Sequence, residues 1–229
     1  MSSIVFDTGP IITLTTNNLL WLLEEMKKYY KGDFIITSSV HHELIDRPLA
    51  SKKFKFEALQ VMKCIDDGTL KVIDDSETRV VTVHLLDLAN KSFVARGNYM
   101  RIVHYAEISS LAAAIKMNSD AFIVDERTTR MIIENPERLR SLFEERLNTK
   151  IKVEEDNLAE FRKAAKNIKP IRSVELITVA FEKGLLDKFL PPPPNQKKIL
   201  LESVLWGAKL NGCAVSTQEI DNILEIEDV

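Results

Sequence analysis

Short apolar runs alternate along the chain with longer stretches in which apolar residues recur at helical spacing. Four runs have the composition of buried strands, and a weaker fifth follows them, at residues 4–7, 33–37, 70–73, 121–125 and 150–153. Helices are predicted between and after them, at residues 18–31, 40–47, 54–66, 80–88, 102–116, 173–183 and 197–210. This alternation predicts an α/β fold with right-handed crossovers and a mostly parallel sheet covered by helices on both faces.

Local signals predict where several elements start and end. The sequence Thr-Gly-Pro at residues 8–10 is expected to form a turn that ends the first strand. Pro48 is expected to end the helix at residues 40–47, because the residue before a proline disfavours helical geometry. Ser216 and Glu219 have the spacing of a capping box, which predicts a last short helix after them.

The composition excludes several classes of protein. The 229 residues are 45% hydrophobic and 28% charged, with a net charge of −3. These values suit one large domain, or one with a smaller part appended, and argue against a globally basic DNA-binding surface. Two cysteines, Cys64 and Cys213, are too few for a disulfide framework and indicate a reducing compartment. With neither a signal-peptide pattern nor an apolar run of membrane-spanning length, we expect a soluble cytoplasmic protein without a membrane partner.

Four acidic residues are predicted to lie near one edge of the sheet. Asp7 and Asp125 each follow an apolar strand, and Glu43 lies one turn beyond the second strand. Glu107 lies at the flank of the core-facing stripe of helix 102–116. If the first and fourth strands are neighbours, these carboxylates converge at the carboxyl ends of the strands, where such sheets bind ligands.

Each acid also has a purely structural interpretation. Asp7 can cap the turn after it, and Asp125 can cap the following helix. Glu43 can pair with Arg47 one turn on, and Glu107 can be an ordinary boundary residue. Together, however, four carboxylates would repel one another unless a cation neutralised them. Oxygen ligands suit Mg²⁺ or Mn²⁺, and such sites support metal-assisted phosphoryl chemistry.

Four motifs resemble those of the PIN-domain family in order and spacing. They are DTGPII at residues 7–12, VHHEL at 40–44, HYAEISSLAAAI at 104–115 and DAFIVDERTTR at 120–130. The resemblance implies a three-layer α/β/α fold and a Mg²⁺- or Mn²⁺-dependent endoribonuclease that hydrolyses RNA. It implies that the catalytic metal ligands are Asp7, Glu43, Glu107 and Asp125, and that Thr8 supports the first of them.

The resemblance extends into the C-terminal part of the chain. Residues 172–186 and 200–224 are similar to the C-terminal helices of a prokaryotic PIN subgroup that includes VapC-like toxins. This similarity implies a PIN-like domain over residues 1–165, a helical extension over residues 166–229 and, for a toxin, an antitoxin protein as partner. Helix 197–210 has more apolar surface than one stripe needs, so it either packs on the sheet domain or forms a homodimer interface.

One departure from the family pattern motivates a second hypothesis. Tyr105 stands where the subgroup often has a further acid, which favours a catalytically quiet module that binds RNA or a protein. A third hypothesis, a phosphatase of the haloacid-dehalogenase type, is disfavoured because Gly9 stands where its second aspartate belongs. Candidate substrate-binding residues near the acids, each of which can also be plain solvated surface, are Arg96, Tyr99, Arg101, Arg127 and Arg130.

Overall fold

The computed structural model describes residues 2–229. Its strands are β1 (Ser3–Phe6), β2 (Asp33–Thr37), β3 (Leu70–Ile73), β4 (Phe93–Ala95), β5 (Asn98–Tyr99), β6 (Ala121–Ile123), β7 (Ile151–Val153) and β8 (Pro170–Ile171). Its helices are α1 (Thr8–Thr16), α2 (Leu22–Lys27), α3 (Ser38–His41), α4 (Arg47–Leu49), α5 (Lys55–Asp66), α6 (Arg79–Asn90), α7 (Tyr105–Met117), α8 (Arg127–Glu134), α9 (Pro136–Leu147), α10 (Glu155–Ala165), α11 (Ser173–Glu182), α12 (Gln196–Leu210) and α13 (Thr217–Ile226). A π-helical stretch (His42–Asp46) joins α3 to α4, and short 3₁₀ turns cover Asp75–Thr78 and Asp187–Phe189.

Five parallel strands form the central sheet in the order β3-β2-β1-β6-β8. The predicted parallel α/β architecture is confirmed, and β1 pairs with β6 as the acidic cluster requires. Because consecutive side chains of a strand point to opposite faces, Val5 and Phe6 enter two different hydrophobic cores. Helices α1, α5, α11 and α12 contribute to the Phe6 core, and α6, α7 and α10 contribute to the Val5 core. The sheet therefore lies between two helical layers.

A second, antiparallel sheet contains three short strands in the order β5-β4-β7. The fifth predicted strand, β7, belongs to this small sheet. The fifth strand of the central sheet is instead β8, which no pattern in the sequence indicated. Two residues are too few to show an alternation, and Pro170 has no N–H and suits only a sheet edge.

One helix was not predicted, and two helix predictions were wrong in their bounds. Helix α1 starts at Thr8, where a break was expected, and Pro10 fits because the N–H groups of a first turn need no intrahelical acceptor. Pro48 lies within α4 and does not end the helical segment, because the preceding π-helical stretch shifts the hydrogen-bond register just before it. The helix predicted over residues 18–31 is confined to α2.

The C-terminal helices complete the Phe6 core. Ile177 of α11 and Leu201 and Leu205 of α12 are fully buried there, so the apolar face of α12 packs on the sheet domain as one alternative expected. Ser216 Oγ accepts a hydrogen bond from Glu219 N at 3.1 Å, and Glu219 Oε2 accepts one from Ser216 N at 2.8 Å, which confirms the capping box. Within residues 2–229, every helix is too short or too polar to cross a membrane.

Candidate active site

The pairing of β1 with β6 brings Asp7 and Asp125 to neighbouring strand ends. Asp7 N donates a hydrogen bond to Ile123 O at 2.9 Å, which continues the ladder one residue past the strands. A Cβ built on Gly9 would lie 3.8 Å from Asp7 Oδ2 and 3.4 Å from Asp125 Cβ. The backbone of Gly9 therefore lies beside both acids. This confirms the predicted juxtaposition of the two strand-end aspartates.

Asp7 is a buried acid with an unpaired oxygen. Its side chain is only 3% exposed, and its Oδ1 atom has no hydrogen-bond partner among residues 2–229. Burial raises the pKa of Asp7 to about 7, against the lowering effect of the Thr8 and Gly9 amides, and the charges of Glu107 and Glu43 raise it further. Asp7 precedes α1 at the N-cap position, yet the helix does not satisfy its carboxylate. A buried carboxylate oxygen without a donor can be neutralised by a cation.

Glu43 lies in the π-helical stretch after β2 and faces the start of α1. Thr8 Oγ1 donates a hydrogen bond to Glu43 Oε2 at 2.7 Å, across 35 residues of sequence. Thr8 thus orients Glu43, whereas the resemblance assigned it to the support of Asp7. Arg47, the alternative partner suggested by the sequence, forms no ion pair with Glu43 within the described residues. π-Helical insertions are frequent at functional sites, and this one carries the acid.

Glu107 lies in the first turn of α7, partly buried. Its Oε2 accepts hydrogen bonds from His104 N at 3.1 Å and from Thr129 Oγ1 at 3.2 Å. Burial raises the pKa of Glu107, and the charge of Glu126 raises it further. These contacts connect α7 to α8 and hold the Glu107 carboxylate at the carboxyl ends of the strands, where Asp7 lies.

Asp125 contrasts with Asp7, because its carboxylate is well supplied with donors. The side chain is 2% exposed. Ser173 N donates to Oδ1 at 2.7 Å, while Thr13 Oγ1 and Ser173 Oγ donate to Oδ2 at 2.7 and 2.8 Å. The alternative that Asp125 caps the next helix is wrong, since Glu126 occupies the N-cap of α8 and accepts from Thr129 N at 2.6 Å. A carboxylate has about four acceptor directions, and these donors occupy three of them.

The cluster fits a hard divalent cation, although it is open. Among residues 2–229, no three His, Cys, Asp or Glu side chains stand close enough together to enclose a metal ion. The donor set nevertheless consists of carboxylate oxygens, which Mg²⁺ and Mn²⁺ prefer. A bound cation would pair with Asp7 Oδ1 and would offset the effect of Glu107 and Glu43 on the pKa of Asp7.

Sequence reasoning missed two acids at this edge. Glu126 is near enough to raise the pKa of Glu107, and its place directly after Asp125 was the available signal. Asp75 follows β3, and its carboxylate accepts hydrogen bonds from the Ser38 and Ser39 hydroxyls. Burial raises the pKa of Tyr105, and the charge of Asp75 raises it further, so an acid does lie near the tyrosine that replaces the expected one.

An open cleft lies beside Glu43 and the start of α7. It has a volume of about 400 Å³ and is lined by Ser38, Ser39, His42, Glu43, His104, Tyr105 and Ala106. Tyr105 therefore forms part of the cleft wall. The position that departs from the family pattern lies within reach of any substrate bound there.

The predicted substrate-binding residues divide into three groups. Arg96, Tyr99 and Arg101 lie in the segment between α6 and α7 that contains β4 and β5. Asn90 Oδ1 accepts hydrogen bonds from the amides of residues 102 and 103, which joins the two ends of this segment. Tyr99 is 58% exposed there. Arg127 is exposed at the start of α8.

Arg130 lies elsewhere. It lines a separate cavity of about 590 Å³, where its Nη1 is 3.7 Å from Glu134 Oε2. The structure therefore does not bring Arg130 into the open cleft beside Glu43.

Comparison with known proteins assigns the class. A family model described as a PIN domain (DUF3368) matches residues 3–137, more than half of the chain, and the chain belongs to this family. The matched range contains all four carboxylates and ends before β7. Neither the curated proteins nor the solved structures gave a significant match.

Proposed function

We propose that this protein is a metal-dependent endoribonuclease that hydrolyses phosphodiester bonds of RNA. The observation that carries the proposal is the buried Asp7 carboxylate, whose Oδ1 atom is unpaired and whose pKa is raised to about 7 by burial and by the nearby charges of Glu107 and Glu43. An aspartate with only a structural role would have hydrogen-bond donors at both of its buried oxygens. Membership in the PIN family supports nuclease chemistry at this edge of the sheet.

Asp7, Glu43, Glu107 and Asp125 would hold Mg²⁺ or Mn²⁺. When bound, such an ion acidifies water and neutralises charge on the phosphodiester. Thr8 holds Glu43 in place, and Thr129 and the His104 amide hold Glu107. Thr13 and Ser173 fix the rotamer of Asp125. No side chain of the cluster needs to act as a covalent nucleophile.

The wider setting follows from the same proposal. Arg96, Tyr99, Arg101 and Arg127 would contact the RNA backbone and unpaired bases. Cys64 and Cys213 are both unpaired, which supports a reducing cytoplasmic location. A role as a VapC-like toxin would add an antitoxin protein as partner, and a homodimer is a further proposal of the same kind.

The second candidate is a catalytically quiet module that binds RNA or protein. Tyr105, which lines the cleft where the subgroup often carries an acid, is the observation that favours it. The two candidates differ in their response to metal. A quiet module shows no metal-dependent cleavage and little stabilisation by Mn²⁺.

Cleavage of a mixed pool of labelled RNAs tests the proposal. Wild type, Asp7→Asn and Asp33→Asn are compared with Mg²⁺, with Mn²⁺ and with a chelator. Asp33 is a matched control, because it lies at the opposite end of the sheet and is paired with Lys71. We expect metal-dependent cleavage by wild type and by Asp33→Asn. The cleavage rate of Asp7→Asn should be lower by about 100-fold or more, because the substitution removes the negative charge of a metal ligand and keeps the size of the side chain.

Two results would contradict the proposal. Activity that survives Asp7→Asn would place the chemistry at another site. Inactivity of wild type on every RNA, together with an unchanged melting temperature in Mn²⁺, would favour the binding module.

A further inference from the structure

Lysines and exposed phenylalanines alternate in the segment between α4 and α5. The segment reads Lys52-Lys53-Phe54-Lys55-Phe56, and we call residues 52–56 the lysine–phenylalanine segment. All five residues are exposed, and the two rings are exposed to 56% and 71%. Large rings so exposed to solvent do not contribute the favourable free energy of apolar burial to folding. They are therefore candidates for contact with a ligand.

The backbone holds the first ring in an unusual conformation. Phe54 has φ of 61° and ψ of 23°, in the left-handed region that bulky residues rarely adopt. It immediately precedes α5, so the direction of its ring is set by the start of a regular helix. A strained aromatic residue on the surface indicates a function more than a role in packing.

The three lysines are free of acidic partners. None of the ammonium groups of Lys52, Lys53 and Lys55 lies within 4.0 Å of a carboxylate in the described part of the chain. The comparable segment at residues 27–31, Lys-Lys-Tyr-Tyr-Lys, has two of its lysines paired, with Asp33 and Glu25. The lysine–phenylalanine segment therefore presents a local positive charge on an acidic protein.

The segment adjoins the proposed active site. Phe54 and Glu43 line the same small cavity of about 110 Å³, together with Leu44 and Pro48. A polymer lying on the two rings would thus meet the carboxylate cluster at Glu43. The segment at residues 27–31 precedes β2 and lies at the opposite end of the sheet.

We propose that the lysine–phenylalanine segment binds single-stranded RNA and guides it to Glu43; this inference rests on the proposed ribonuclease function. Phe54 and Phe56 stack on unpaired bases, and the lysines contact the phosphates between them. A duplex hides its base faces, so single strands are preferred. A protein partner with an apolar surface would use the rings and the nearby exposed Leu59, but unpaired lysines match a polyanion better.

Binding in a chelator tests this inference separately from cleavage. The probe is a fluorescein-labelled oligouridylate of about 12 nucleotides, read by fluorescence polarisation, with a duplex of equal length as competitor. We expect Phe54→Leu/Phe56→Leu to weaken the Kd by on the order of tenfold while preserving apolar surface. Lys52→Ala/Lys53→Ala/Lys55→Ala should lower the slope of log Kd against log salt by about 2.

Tyr29→Leu is the matched control. It removes an exposed aromatic ring among lysines at the opposite end of the sheet and should leave the Kd unchanged. Unchanged binding by both segment variants would overturn the inference even if wild type cleaves RNA. A wild type that binds no single strand, or that binds the duplex equally well, would overturn it too. If the wild type binds RNA through the segment but does not cleave it, only the proposed nuclease function would be overturned.

Discussion

Two aspartates in equivalent positions experience opposite environments. Asp7 and Asp125 each lie just past a central strand and are almost fully buried. Three donors reach the Asp125 carboxylate, whereas Asp7 retains an unpaired oxygen and a raised pKa. Burial of a charge without a partner destabilises the folded state, so Asp7 lowers stability in the absence of metal. The two acids thus differ in what fixes them, because donors from Thr13 and Ser173 hold Asp125 in one orientation, whereas Asp7 keeps an unpaired oxygen.

Asp7→Asn should therefore stabilise the metal-free protein at pH 8. The pKa of Asp7 is about 7 in the folded state and 3.8 ordinarily. Between pH 3.8 and 7, the folded state therefore binds more protons than the unfolded state. Wild-type stability from this group thus falls as the pH rises from about 4 to 7, by up to about 1.4 kcal/mol per pH unit. Urea unfolding in a chelator should show the advantage of Asp7→Asn at pH 8 and little difference at pH 4.

The control for this experiment is Asp125→Asn, which removes an acceptor from Thr13 and Ser173 and should destabilise at pH 8. Excess Mn²⁺ should reverse the order of wild type and Asp7→Asn. Equal stability of wild type and Asp7→Asn at pH 8 would contradict this prediction. It would mean that the Asp7 carboxylate has hydrogen-bond donors other than those seen in the structure.

At the residue scale, the sequence indicated the four acids but not their states. Apolar strands that end in aspartate are visible in the sequence, since burial and alternation leave a pattern. The difference between Asp7 and Asp125 is not visible, because the donors to Asp125 come from Thr13 and Ser173, far away in the chain. Arg130 illustrates the same limit: it is near Asp125 in sequence, but it faces a different cavity.

At the element scale, Asp125 joins three parts of the chain. Its carboxylate binds donors of α1 and α11, and its backbone oxygen accepts from Ala214 N at 3.1 Å. Arg172, just before α11, is in turn paired with Glu219 of α13 at 2.7 Å. The polar contacts at the end of β6 therefore position the C-terminal helices.

We expect loss of either hydroxyl donor to Asp125 to loosen this connection. Thr13→Val and Ser173→Ala should each reduce the free energy of unfolding by about 1.5–3 kcal/mol, the range for hydrogen bonds to charged groups. Thr16→Val is the control, because its hydroxyl is partly exposed and bonds only to backbone oxygens of its own helix. Urea unfolding measures all three. A Ser173→Ala variant as stable as Thr16→Val would show that Asp125 does not hold α11 in place.

Elements were predictable where their signals are local. Helix α5 and strands β2 and β3 agree closely with the predictions, because each contains an uninterrupted run of the appropriate period. Helix α1 was missed because Pro10 and Gly9 are read as breakers, although a first turn accommodates both. Strand β8 exists only through its pairing with β6, a contact that no local pattern encodes.

At the scale of the whole molecule, the C-terminal part and the sheet share one core. Val174, Ile177 and Leu201 pack in the same buried cluster as Phe6 and Leu14. The family model ends at residue 137, well before these helices. The PIN fold of this chain thus has one face covered by residues outside the matched range.

This sharing predicts that a fragment ending at residue 165 does not fold independently. It would lose the edge strand β8 and expose the Phe6 core, whose C-terminal contributors include fully buried Val174, Leu201 and Leu205. Residues 166–229 contribute eleven buried Val, Leu, Ile and Phe side chains to that core, and burial of each contributes about 1.5–3 kcal/mol, so the loss exceeds the stability of an ordinary domain. We expect aggregation or the absence of a cooperative thermal transition by circular dichroism, and restoration when residues 166–229 are added as a separate chain. A soluble fragment that melts cooperatively would instead establish residues 1–165 as an independent domain and make the helical extension an accessory to it.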